Sequence, residues 1–79
     1  MEYRQRIKAI RDRAARIGVP LRDVLQVARV NPSTLFRWEQ DDANPRMRTM
    51  FRALDAMEAD LRMREQRIVS EISREGRAA

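Results

Sequence analysis

The stretch Leu21–Gln40, LRDVLQVARVNPSTLFRWEQ, constrains this chain more than any other part of it. An Asn-Pro step at residues 31–32 separates two short apolar stripes. Asparagine accepts hydrogen bonds from the first free N–H groups of a helix. Proline suits the first helical turn, where its missing N–H costs nothing. The step therefore predicts a break followed by a helix over Pro32–Gln40. Upstream, Leu21, Val24, Leu25 and Ala28 share one helical face, and that helix should end near Arg29 or Val30. Downstream, Leu35 and Trp38 lie about 60° apart on a helical wheel and should bury against that face. Ser33, Arg37 and Gln40 fall on the opposite side, with Thr34 and Phe36 on the flanks.

The flanking sequence extends the pattern. Tyr3, Ile7, Ile10, Ala14 and Ile17 follow the spacing of one face of a helix running from about Glu2 to Ile17. Gly18 supplies a stop, and Pro20 keeps Val19 extended before opening the second helix. Asn44-Pro45 repeats the start signal of Asn31-Pro32, with Asp41-Asp42-Ala43 as the loop before it. No Gly or Pro follows until Gly76. One long helix, or two nearly continuous ones, can fill residues 45–75. The fold expected is all-α: a compact bundle of four to five helices containing a helix-turn-helix, with a long C-terminal helical segment.

Within that segment Met47, Leu54, Leu61 and Ile68 recur every seven residues. Met50 and Met57 fill the next apolar position, which Arg64 and Glu71 then interrupt. Met47, Met50, Phe51 and Leu54 are expected to cap the core. Leu61, Ile68, Val69 and Ile72 have few partners left within one chain. They are expected to pair with a second copy as a short helical interface, the alternative being an amphipathic tail packed on its own domain. The division expected is residues 1–57 as the main domain, 58–75 as a dimerisation segment and 76–79 as a flexible tail.

Composition narrows the function classes. At 79 residues the chain is one small domain, for which oligomerisation is a common source of extra buried surface. It has no cysteine and no histidine, so it lacks thiolate ligands, the commonest zinc ligand and the usual general base. No catalytic constellation is legible, and no enzyme activity, cofactor or metal site is expected. Asp41-Asp42 read as solvated turn residues. With 37% charged residues there is no membrane-length apolar run, and MEYRQRIKAI has no signal-peptide core. A cytoplasmic location is the expectation.

The net charge of +5 is uneven. Residues 1–19 carry +4, residues 20–40 carry +1, and the remainder balances. Cations near the two-helix unit would attract phosphates and speed encounter with a nucleic acid, or form a solvated helix face. In the helix opened by Pro32, Ser33 and Thr34 occupy the first turn, the part of a groove-reading helix that meets base edges. Arg37, one turn on, has the fork to bond guanine O6 and N7. Phe36 has two readings, contact with a thymine methyl or packing against the fourth helix. Arg22, Arg46 and Arg48 sit near helix starts and are candidate phosphate contacts, as is Asn31.

The string VNPSTLFRWEQ, with Ala28 before it and Asn44-Pro45 after it, resembles the signature of the Cro/C1-type (XRE-like) helix-turn-helix family of phage and bacterial repressors. The resemblance covers about residues 21–57. It implies binding of an inverted-repeat operator in double-stranded DNA by a homodimer. It places Ser33, Thr34 and Arg37 at base-reading positions, and Asn31 and Gln40 at phosphate-contacting ones. Leu21 stands where the family often has Gln, Leu25 where Ala is usual, and Arg29 where the turn has Gly. If position 29 keeps a positive φ, an arginine there costs on the order of 1 kcal/mol; otherwise the turn has another shape. The function this implies is a transcriptional repressor of its own phage or mobile-element operon, of the compact kind that includes anti-CRISPR-associated repressors and antitoxins. The competing class is an adaptor whose C-terminal helix binds a partner protein.

Overall fold

The computed structural model describes residues 3–40 and 47–78, with side chains as far as residue 73. Among these residues there are four helices: α1 (Tyr3–Arg16), α2 (Leu21–Val27), α3 (Pro32–Glu39) and α4 (Met47–Ala78). The expected all-α class is thus observed. The start signal Asn44-Pro45, the loop Asp41-Asp42-Ala43 and Arg46 lie outside the described residues.

The local signals act as their chemistry dictates. Asn31 caps α3, its side-chain oxygen accepting from the Ser33 N–H at 2.9 Å, and Pro32 opens the first turn. Gly18 ends α1 with φ 72°. Beyond α2, Arg29 takes φ 58°, so the turn does require the left-handed conformation.

The apolar stripes meet in one core. Ile7, Ile10 and Ala14 of α1, Val24 and Leu25 of α2, and Leu35 and Trp38 of α3 are all buried. Tyr3, Ile17, Leu21 and Ala28 pack around them. From α4 the core takes Met50, Leu54, Met57 and Leu61, each 0% exposed and spaced four, three and four residues apart. α4 lies along both α1 and α2, and α3 docks on α1.

α1 and α4 run in the same direction. Arg6 bonds Glu58 and Arg13 bonds Glu65, each across 52 residues of sequence. A constant separation at two points seven residues apart is the signature of a parallel pair; an antiparallel pair would keep a constant sum. On this register Arg16, the last residue of α1, falls level with Ile68. The ten residues Val69–Ala78 of α4 therefore extend beyond α1, a length of about 15 Å.

This geometry revises several expectations. Leu61 is a core residue of its own chain, because α1 reaches past its level; it has no surface left for a second copy. The boundary at residue 57 falls inside a continuous helix whose packing continues through Leu61 and the Arg13–Glu65 pair. The helix itself runs to Ala78. Met47 and Phe51 do not cap the core: they are 47% and 36% exposed. Both are displaced from the centre of the buried α4 stripe, by about 50° and 90°. Phe51 instead lies under the Arg6 guanidinium, 5.7 Å from ring centroid to Cζ.

Leu61→Ala should lower stability by about 2–5 kcal/mol, as truncation of a buried leucine does. Met63→Ala, at a 62% exposed position, should change it by less than about 0.5 kcal/mol. Urea unfolding of the two variants checks the assignment; equal midpoints would remove Leu61 from the core.

Candidate nucleic-acid interface

α3 has two distinct sides. Leu35 is 2% and Trp38 8% exposed, which fixes the rotation of the helix about its axis. The opposite side presents Ser33, Phe36, Arg37 and Gln40, all exposed, with Thr34 half-buried at the margin. Phe36 is 61% exposed and so does not fold back onto α4; of its two readings only the outward one is compatible with this rotation. Asn31 and Pro32 are exposed at the start of the same helix.

Hydrogen bonds set what these groups have left to offer. Asn31 Oδ1 accepts from both the Ser33 N–H (2.9 Å) and the Ser33 hydroxyl (2.8 Å). The Asn31 amide nitrogen thus keeps its donors, and the Ser33 oxygen keeps its acceptor capacity. Gln40 closes α3, its N–H donating to the Arg37 carbonyl at 3.2 Å, while its own carbonyl accepts from Arg4 Nη2 at 3.4 Å. Its side chain remains exposed. Arg37 makes no ion pair among the described residues.

α3 is tied to α1 by a bidentate pair. Arg11 donates through Nε and Nη2 to the two Glu39 carboxylate oxygens at 3.1 and 2.6 Å. Sequence reading did not single out this pair, because Arg11 and Glu39 are 28 residues apart and neither lies in a recognisable motif. The Arg6–Glu58 and Arg13–Glu65 pairs did leave a signal in the seven-residue spacing on each helix.

Ion pairing also redistributes the basic charge. Of the α1 cations, Arg6 is paired with Asp55 and Glu58, Arg11 with Glu39 and Arg13 with Glu65. Much of the excess on residues 1–19 is thus engaged within the chain. Hydrogen bonds donated to Glu58 and Asp55 raise the Arg6 pKa further above its ordinary value, with burial acting the other way. A hydrogen bond to Glu65 raises that of Arg13. On the two-helix unit, Arg22 is largely exposed, with only a loose 3.9 Å approach to Asp23, and Arg29 and Arg37 are exposed. Arg48 is exposed at the start of α4.

At the far end of the molecule, Val69 and Ile72 are 61% and 63% exposed and Ile68 is half-buried. A shallow groove of about 450 Å³ beside them is lined by Arg62, Glu65, Gln66, Val69 and Ser70. No cluster among the described residues is placed to hold a metal ion, and no described helix is long and apolar enough to cross a membrane. Comparisons with protein-family models, with curated proteins and with solved structures return no match.

The Arg13 hydrogen bond holds the Glu65 carboxyl below the usual carboxylate range, against desolvation acting the other way. A folded pKa below the unfolded one contributes stability that is present above the unfolded value, about pH 4.3. That contribution is lost as pH falls through the folded value. Thermal melts from neutral to about pH 3 should show a steeper acid loss for wild type than for Glu65→Gln. Parallel curves would remove the pair as a source of stability.

Proposed function

We propose that this chain is a sequence-specific DNA-binding transcriptional regulator of helix-turn-helix type, acting as a dimeric repressor. The observation that carries this reading is the outward side of α3. A short helix is locked by Leu35 and Trp38, tethered by Arg11–Glu39, and presents Ser33, Phe36 and Arg37 to solvent. In this reading α3 enters the major groove with its first turn leading. Ser33 and Thr34 meet base edges, Arg37 bonds guanine O6 and N7, and Phe36 covers a thymine methyl. Asn31, Gln40, Arg22, Arg46 and Arg48 contact phosphates on either side.

A palindromic operator requires two copies with their reading helices about 34 Å apart. We assign the contact between copies to Val69 and Ile72, on the part of α4 beyond α1, together with Ile68, which lies level with the end of α1. Occupation of promoter DNA then gives repression, and a compact regulator of its own phage or mobile-element operon is the setting that the Cro/C1-type resemblance suggests. The exposed Val69 and Ile72 also favour a second reading, an adaptor whose α4 binds a different protein. Salt separates the two: several phosphate contacts make DNA affinity fall steeply as salt rises, whereas an adaptor has a weak, flat response.

Selection of bound duplexes from a random pool tests the proposal directly and should return an inverted repeat. Arg37→Ala should lose about 1–3 kcal/mol of discrimination at one base pair of each half-site, with an unchanged melting temperature. Unaltered selectivity would sink the role given to Arg37. Replacing Val69 and Ile72 together with Glu should give monomers in sedimentation and weaker operator binding. A profile matching wild type would take the interface away from α4.

A further inference from the structure

Two turns in this chain are closed by the same hydrogen bonds but filled by different residues. After α1, Gly18 donates to the Ala15 carbonyl at 3.1 Å and Val19 to the Ala14 carbonyl at 2.9 Å. After α2, Arg29 donates to the Gln26 carbonyl at 3.1 Å and Val30 to the Leu25 carbonyl at 2.9 Å. Each pair is the double closure of a Schellman cap, which puts the residue after the helix into the left-handed region. The φ values are 72° at Gly18 and 58° at Arg29. A Cβ at Gly18 would meet nothing within 4 Å, so glycine serves only the backbone angle there. The same angle is required at position 29, yet the residue is an arginine, which adopts it at a steric cost that glycine escapes.

Nothing within the fold offsets that cost. The Arg29 side chain is exposed and makes no hydrogen bond, ion pair or ring contact among the described residues. Its backbone makes the cap, but any residue able to adopt the angle makes the same cap. What arginine adds is a guanidinium two residues before Asn31, at the entry to α3. The two-helix unit carries a net positive charge. Arg22 and Arg37 are exposed on the same two-helix unit; of its two carboxylates, Glu39 is bound by Arg11, and Asp23 makes only a loose 3.9 Å approach to Arg22. An exposed cation at the edge of a cationic face is complementary to an anion, and a guanidinium fork matches the oxygens of a phosphate.

We propose that Arg29 is a phosphate ligand of duplex DNA, kept in a left-handed cap where glycine would be less strained. The proposal rests on the DNA-binding reading of α3 and adds a residue to it. A phosphate contact orients the protein on the duplex and carries no sequence information. Arg29 therefore contributes equally on any sequence, which allows a test without knowledge of the operator.

The test compares the full chain with its Arg29→Gly and Arg29→Lys variants, using random-sequence duplex DNA of about 20 base pairs in a fluorescence-anisotropy salt titration. Thermal melts are recorded in parallel. Arg29→Gly should melt a few degrees higher, because strain is relieved. It should also bind DNA more weakly, with the slope of log affinity against log salt reduced by about 0.9. Arg29→Lys, which keeps the charge and the backbone demand, should retain the wild-type slope. Wild-type affinity and slope in Arg29→Gly would overturn the proposal while leaving the DNA-binding reading standing. A wild-type chain with no salt-sensitive DNA binding would overturn both. Earlier melting of Arg29→Gly, with Arg29→Lys binding as weakly as Arg29→Gly, would assign the residue to the turn and overturn the DNA role.

Discussion

The parallel packing of α1 on α4 is the constraint from which the rest of the molecule follows. Ile7, Ile10 and Ala14 meet a stripe of Met50, Leu54, Met57 and Leu61 in which no side chain is exposed. Burying residues of this kind stabilises by roughly 1.5–3 kcal/mol each. The Arg6–Glu58 and Arg13–Glu65 pairs are partly exposed and contribute at most about 1 kcal/mol each. Their larger effect is on register: a slide of one turn along α4 would break both. α3 in turn depends on this frame. It docks on α1, and Arg11–Glu39 holds its C-terminal end there. The direction in which Ser33 and Arg37 point is thus inherited from the α1–α4 pair.

Charge is apportioned by the same frame. Composition gives a net charge of +5 and places most of it in the first nineteen residues. The fold then directs Arg6, Arg11 and Arg13 at carboxylates on other helices. What remains exposed around α3 is a smaller set, Arg22, Arg29 and Arg37. A count along the sequence cannot separate these groups, because an arginine that pins a helix and one that faces solvent have the same formal charge. The difference is set by whether a carboxylate lies across the helix contact, which is a property of register.

Legibility in the sequence follows the range of the interaction. The helix starts and stops were readable because Asn31-Pro32 and Gly18 act on their own backbone neighbours. The buried faces of α1, α2 and α3 were readable because a period of 3.6 needs no knowledge of the partner. Leu61, Phe36, Met47 and Phe51 were harder for one shared reason. Each is a large apolar residue, and its burial depends on whether another helix reaches its level and its angle. α1 extends far enough to cover Leu61, while no described residue covers Phe36. The left-handed angle at Arg29 was open to either outcome because arginine carries no local preference for it, whereas glycine at position 18 signals it plainly.

The length of α4 ties these features together. A free helix of ten residues is marginal in water, since nucleation is costly and few hydrogen bonds follow it. The segment beyond α1 avoids nucleation by continuing a helix already fixed by the core. It thereby holds Val69 and Ile72 at a set distance from α3 instead of on a loose tail. In the proposed dimer that continuity matters more than the modest apolar area involved. Two reading helices can match successive major grooves only if the element joining the copies is as rigid as the element that positions α3. In that proposal both roles fall to one unbroken helix: its first half builds the core that orients α3, and Val69 and Ile72 beyond α1 supply the exposed apolar face.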